Sequence, residues 1–411
     1  MTLHVRSTVL DDDRPLLDLA PDRDDIVAWV RDGDGFVGWG RALHVDPGTG
    51  TGRFTRAADE VTAALAGADV DDAVGRTGSR GVAIASFTFD PDTAGSTIVV
   101  PRTLVARRDG VTWCTTVDPD GSPPVPGPGT DPRPRPRHDR PRYAGASIPD
   151  LRWLEAVALA VEMIDAGRLD KVVLARDHAL WSREVFDPVD VARRLTTTFP
   201  SCHTFIADGL VGATPELLVA RHADTVTSRV LAGTAARSDD PVLDERLGRA
   251  LLDSDKDRWE HQLAVTSVRE VLDARCDEPT EATGPGLLRL DNVQHLATDV
   301  AGRASGRPHV LELAGDLHPT AAVGGTPRDV ALQVIAELEG MGRHRYAAPV
   351  GWFDHSGDGE FGIALRCAHL EGARARLFAG VGVVGASLPE DELEETRLKL
   401  LAMQRVLSPL D

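Results

Sequence analysis

The chain has 411 residues, 42% of them hydrophobic, and carries a formal net charge of −19 from 64 acidic against 45 basic side chains. That length suffices for a large core. So acidic a surface repels phosphate backbones and anionic lipid, which excludes nucleic acid and membrane as expected partners and obliges any anionic ligand to find a pocket with its own cations.

In chain order, strands are predicted at 81–89, 96–100, 103–107 and 111–116, with one helix over 56–66. Residues 121–141 are proline-rich and fit neither helix nor sheet, because proline removes donors and holds its predecessor extended. The division is 1–120, a loop over 121–142, and 143–411, with the N-terminal third supplying strands to a shared sheet. A helix follows over 149–166, then a strand over 171–176 and a helix over 188–198. Strands at 204–212, 217–221 and 225–232 precede a long helix over 255–274 and a strand near 293–300. Beyond these come a short helix over 310–314 and another opened by Thr326 as N-cap with Pro327 in its first turn. Strands at 350–353, 361–369 and 375–384 lead into a C-terminal helix over 390–406. Strands that mostly follow strands argue for an α+β architecture of antiparallel layers.

Cys114, Cys202, Cys276 and Cys367 are far apart without a CxxC spacing, so they are expected to be buried free thiols. With no apolar leader and no run of ~18 apolar residues, the expected location is the cytoplasm. No exposed heptad or long apolar stripe calls for a partner subunit, and a monomer is expected.

Several polar residues stand where a plain core would have aliphatics. On the C-terminal helix Glu392, Glu395 and Lys399 share one sector with Met403, Val406 and Leu407. Either they face a buried site, or Glu395 and Lys399 form an exposed i,i+4 pair. Glu260 similarly begins a face containing Leu263, Ala264, Ser267 and Val271. Two buried carboxylates from different helices make sense around a cation, and hard oxygen donors without a Cys or His cluster point to Mg²⁺; the alternative is that each reaches solvent at its helix end. Lys171 opens an apolar strand, as a desolvated base or as an end residue reaching water. Glu216, between apolar neighbours, is either a carboxyl kept protonated by burial or a turn residue. Gly380 to Gly385 spells G-x-G-x-x-G, but no second strand ending in an acid follows, so these glycines serve close backbone approach to a ligand rather than a dinucleotide. Gly324-Gly325-Thr326 before a helix could hold a carboxylate or be an ordinary capped turn.

In this order the motifs over residues 145–408 resemble the chorismate-utilising enzymes. The resemblance implies a large sandwich of mostly antiparallel sheets with helices outside, Mg²⁺ as cofactor and chorismate as substrate. By motif, Lys171 resembles the base that activates water for attack at ring C2, and Glu216 the acid that protonates the departing C4 hydroxyl. Glu260 and Glu395 resemble metal ligands, with Glu392 a carboxylate close by. Thr234, His295, Tyr346, Arg366, Gly380 and Lys399 match substrate-binding positions. Ala232 stands where covalent aminating enzymes carry a lysine, and Ala322 where amination enzymes and many salicylate synthases carry threonine; Ala322 with Val323 resembles the isochorismate synthases. Nothing resembles a glutaminase domain, so no glutaminase subunit is expected. Salicylate synthase and a non-catalytic chorismate-binding protein are the alternatives, and the downstream pathway, whether menaquinone, siderophore or salicylate, is open. Ala348, Ala321 and the Ala235-Ala236 pair depart from the family pattern, which usually has glycine, proline and Arg-Pro there.

Overall fold

The computed structural model describes residues 2–119, 127–129 and 140–408. Strand-forming segments dominate it, and among the described residues they assemble into sheets of thirteen and ten strands. The larger sheet runs from an edge strand, Arg142–Gly145, through Lys171–Trp181, Arg374–Val383, Cys367–Glu371, Leu210–Thr214 and His203–Ala207 to the N-terminal strands Val27–Arg31, Asp34–Trp39 and Thr103–Arg108. In the smaller sheet Val293–Arg303, Thr225–Ala236, Leu217–His222, Gly359–Ile363 and Pro349–Asp354 lie in succession before Val82–Ser86 and Thr97–Val100. Pairings are antiparallel except that of Leu3–Val9 with Asp69–Asp72. The expected α+β class is what the chain adopts.

Side-chain alternation along each strand builds the layers. Trp29 and Phe36 point into the core between the sheets, where Phe36 packs edge-on against Trp352 at 4.8 Å and the Trp29 indole N–H donates to Glu360 at 3.1 Å. Ala28, Val30 and Val37 point the other way, onto a second core formed with helices Pro188–Thr198 and Pro389–Leu407 through Leu195, Met403 and Val406. Helices Arg53–Ala66 and Val310–Leu317 pack on each other, and the latter covers the smaller sheet. No helix of the described residues is long and apolar enough to cross a membrane.

Some expected elements are redrawn. The segment 204–212 is two strands, His203–Ala207 and Leu210–Thr214, because Asp208 and Gly209 take φ of 47° and 82° and turn the chain back. The segment 361–369 divides at 364–366 into strands of different sheets. Thr326 is not an N-cap: with Gly325 it pairs against Val172 and Lys171, and the helix Arg328–Leu338 starts after Pro327 without a side-chain cap. A helix at Pro241–Asp253 was not anticipated, although Asp240 caps it by accepting from Val242 and Leu243 ahead of Pro241 at N1. The N-terminal strands Val27–Arg31 and Asp34–Trp39 escaped for the opposite reason: both of their faces are buried, so little polar alternation remains to see. Most of the proline-rich segment lies outside the described residues, and Arg142 already belongs to a strand.

Candidate active site

Strand Lys171–Trp181 lies antiparallel to Arg374–Val383, with Val173 opposite Gly382 and Ala175 opposite Gly380. A Cβ at Gly382 would collide with the Glu260 carboxylate and the Lys171 stem, so glycine here admits side chains from a helix onto the sheet face. Above this floor one cavity gathers Glu216, Thr234, Glu260, His295, Ala322, Val323, Tyr346, Arg366, Gly380, Glu395 and Lys399. Lys171 and Glu392 sit just behind its wall, 0% and 1% exposed. Segments more than two hundred residues apart in sequence thus converge on one space.

Each metal-candidate carboxylate leans on an ammonium. Lys171 Nζ lies 3.0 Å from Glu260, Lys399 Nζ 2.6 Å from Glu395, and Lys256 Nζ 2.6 Å from Glu392. The Glu395–Lys399 pair therefore exists at i,i+4 as the plain alternative had it, yet it faces the cavity rather than bulk water. Burial opposes the charge on Glu395, but the Lys399 ammonium and hydrogen bond, aided by Lys256 and Thr234, outweigh it and hold the carboxyl below its ordinary range. Burial and the neighbouring charge of Glu395 push Glu392 up despite Lys256. Asp257, which sequence reading missed, is raised by burial and by the charge of Glu260. Lys256 was missed as well; its position one turn before Glu260 was the available signal.

The neighbour of Lys171 modifies the sequence expectation. Desolvation is complete, but the amine is not isolated among apolar groups: Glu260 stands beside it as a charge partner. Glu260 itself heads a buried face of helix Asp255–Asp273 made by His261, Ala264, Val265, Val268 and Leu272. Leu263, Ser267 and Val271 are only half-buried, so the stripe is rotated slightly from the expected one.

Glu216 behaves as its apolar setting suggested. It is 4% exposed, and burial pushes its carboxyl up to about 8 against the opposing charge of Lys171 and a backbone N–H from Leu231. At neutral pH it holds a proton.

His295 is neutral: burial, then the charges of Arg366 and Lys399, drive its imidazole well below the ordinary range. An Arg366 guanidinium N–H reaches Nε2 at 3.0 Å, so Nε2 accepts and the ring proton resides on Nδ1. From there it faces the Gly233 carbonyl at 3.3 Å and the Thr234 hydroxyl at 3.2 Å. Arg366 occupies the left-handed region at φ 46°, at the bend where the chain passes from one sheet to the other, and its Nε has no partner among the described residues. A strained residue holding a buried, unmatched donor over a cavity suits an anionic ligand.

Another residue that sequence reading missed is Arg343. Its guanidinium donates to the carbonyls of Val323 at 2.7 Å and Val173 at 2.8 Å and to the Glu339 carboxylate at 2.6 Å, tying the 322–323 loop to the floor strand. Of the two readings of Gly324-Gly325, a carboxylate cradle or an ordinary turn, the cradle finds no support, since neither glycine is part of the cavity lining. Gly325, at φ 149°, instead lets the backbone press against Lys171 and Val172. Two departures find local reasons. Ala348 lies outside the positive-φ residues and needs no glycine, and the Ala321 N–H donates to Ser267 Oγ at 3.2 Å, a bond proline could not make.

Among the described residues no three His, Cys, Asp or Glu side chains are grouped closely enough to enclose a metal alone. Glu260 and Glu395 nevertheless present hard oxygen donors to one cavity, which fits an ion such as Mg²⁺ that takes one or two carboxylates and completes its shell with water and ligand oxygens.

Comparison with known proteins bears on the family. The sequence profile of the family described as "Chorismate binding enzyme" matches residues 131–408. A Pseudomonas aeruginosa protein, "Salicylate biosynthesis isochorismate synthase", is 44% identical over 263 residues, covering 63% of this chain and 55% of that protein. "Isochorismate synthase MenF" of Bacillus subtilis is 39% identical over 259 residues, covering 61% and 54%. The match thus spans little more than half the length of these two relatives. A crystal structure of a putative 2,3-dihydroxybenzoate-specific isochorismate synthase from Bacillus anthracis superposes with a TM-score of 0.79 at 28% identity, covering 95% of this chain and 98% of that one.

Proposed function

This chain belongs to the chorismate binding enzyme family, and from that premise we propose that it is an isochorismate synthase, exchanging the C4 hydroxyl of chorismate for a hydroxyl at C2. The observation that carries this reading is a buried, protonated carboxyl lining the cavity, Glu216, together with a buried lysine just behind its wall, Lys171. Lys171 would accept a proton from the water whose oxygen bonds to C2. Glu216 would give its proton to the C4 oxygen, which leaves as water as the two ring double bonds move from C1–C2 and C5–C6 to C1–C6 and C4–C5. One water enters and one departs, so the reaction is an isomerisation. For Lys171 to take up that proton its ammonium must first release one to solvent, with Glu260 turning from it toward another cation. Arg366, aimed by neutral His295, and Lys399 supply the charges that hold the two carboxylates of the substrate. Glu260 and Glu395 would hold the magnesium ion, whose positive charge is matched to a substrate carboxylate.

The direct test is incubation of the purified protein with chorismate and Mg²⁺ followed by chromatographic resolution of products. Isochorismate is expected, lost on adding EDTA and restored by excess Mg²⁺. Salicylate with pyruvate would move the chain to the lyase branch, and no product would refute the proposal. In calorimetric titration Glu395→Gln should weaken Mg²⁺ binding by tenfold or more, since the ligand loses its charge. An unchanged titration counts against Glu395 as a ligand.

A further inference from the structure

The catalytic cavity is too small for its proposed substrate. It leaves about 60 Å³ of free room, whereas pockets for small organic ligands run to roughly 300–1,000 Å³. Next to it is a cleft of about 1,100 Å³ that has no role in the chemistry above.

The two spaces share a floor. On strand Lys171–Trp181 the residues Val173, Ala175, Asp177 and Ala179 face one way, opposite Gly382, Gly380, Phe378 and Arg376 of the neighbouring strand. Val173, Gly380 and Gly382 line the catalytic cavity, while Asp177, Ala179, Phe378 and Arg376 line the cleft. What divides this trough is Arg343 and Tyr346, which line both spaces. Arg343 is immobilised by its carbonyl and carboxylate bonds. The Tyr346 ring is held differently: it stacks on Phe378 at 5.0 Å and 10°, and its hydroxyl makes no hydrogen bond among the described residues. The residues around it, His344 and Ala347, have φ of 50° and 60°. Those residues carry backbone strain that the bonds of the Tyr346 N–H to the Arg343 carbonyl at 2.9 Å and of the Ala347 N–H to the Ala364 carbonyl at 3.0 Å hold in place, which leaves rotation of the Tyr346 side chain as the available movement.

We propose that this cleft is an antechamber through which the dicarboxylate substrate reaches the catalytic cavity, with the Tyr346 ring as the movable partition. The inference rests on the chorismate reading above. On a chain of net charge −19 a dianion needs a path that is not acidic, and the cleft lining sets the arginines Arg343, Arg345, Arg374 and Arg376 against Asp177, Asp208 and Glu371. Displacing the Tyr346 ring toward the cleft would also enlarge the collapsed catalytic space.

Stopped-flow fluorescence of chorismate association, without divalent metal, tests the route. Ala179→Phe places a ring in the cleft and adds no tryptophan; it should slow association and dissociation together by tenfold or more, leaving Kd within twofold of wild type, because a blocked path alters neither end state. Arg374→Glu, at an exposed strand end, should slow association severalfold at low salt, with the deficit vanishing at 0.5 M salt on the order of the screening expected there. On-rates within twofold of wild type in both variants would overturn the antechamber, as would a weakened Kd in Ala179→Phe with an unchanged on-rate. Failure of the wild-type protein to bind chorismate is a separate result, and it would sink the functional reading together with this one.

Discussion

Lys171→Ala should lower isochorismate formation by ~10²–10⁴-fold, the span associated with a positioned proton-transfer group, while chorismate binding measured by fluorescence or calorimetry persists. Retention of binding follows from geometry: Arg366, Lys399 and His295 line the cavity and Lys171 stands behind its wall. The same substitution strands Glu260, which is 9% exposed and 3.0 Å from the lost amine. Breaking one side of a buried pair costs about 3–5 kcal/mol, so metal-free Lys171→Ala should melt well below wild type. If Glu260 is a ligand, Mg²⁺ supplies a replacement partner, and the melting gap narrows when the ion is added. Wild-type turnover in Lys171→Ala would overturn the base assignment; an unchanged gap with metal would detach Glu260 from the ion.

A loss of similar size is expected for Glu216→Gln, which keeps the shape and removes the transferable proton. For the wild-type protein, kcat/KM should fall as pH rises through about 8, where Glu216 gives up its proton, and the Gln variant should lack that limb. Stability responds in the same direction. The folded carboxyl is raised far above its unfolded value of 4.5, so between 4.5 and about 8 the folded state binds more protons and wild-type stability declines with rising pH. Glu216→Gln is free of that penalty and should melt above wild type at pH 8, the difference closing toward pH 4.5. A Gln variant with full activity, or with a melting curve parallel to wild type across that window, would return Glu216 to a structural role.

The local signals of this sequence were legible one segment at a time. Asp187 before Pro188 starts a helix that ends at Thr198 as the pattern implied, and the stripe of Glu392, Glu395, Lys399, Met403 and Val406 correctly marked the inward face of the last helix. Burial of Lys171 and Glu216 could be suspected from apolar flanks. Spacing alone could not distinguish a snorkelling side chain from a buried one, because both occupy the same helical sector.

What the sequence determined by itself was the antiparallel α+β class, the family resemblance and the identity of the polar groups that gather at the site, since these depend on residue type and local period. Only the tertiary structure decided which cation faces which carboxylate. Lys171 meets Glu260, Lys256 meets Glu392 and Arg366 meets His295 across separations of 89, 136 and 71 residues. The strand register and the glycines at 380 and 382 that set those distances act through close backbone packing, and no single segment encodes that.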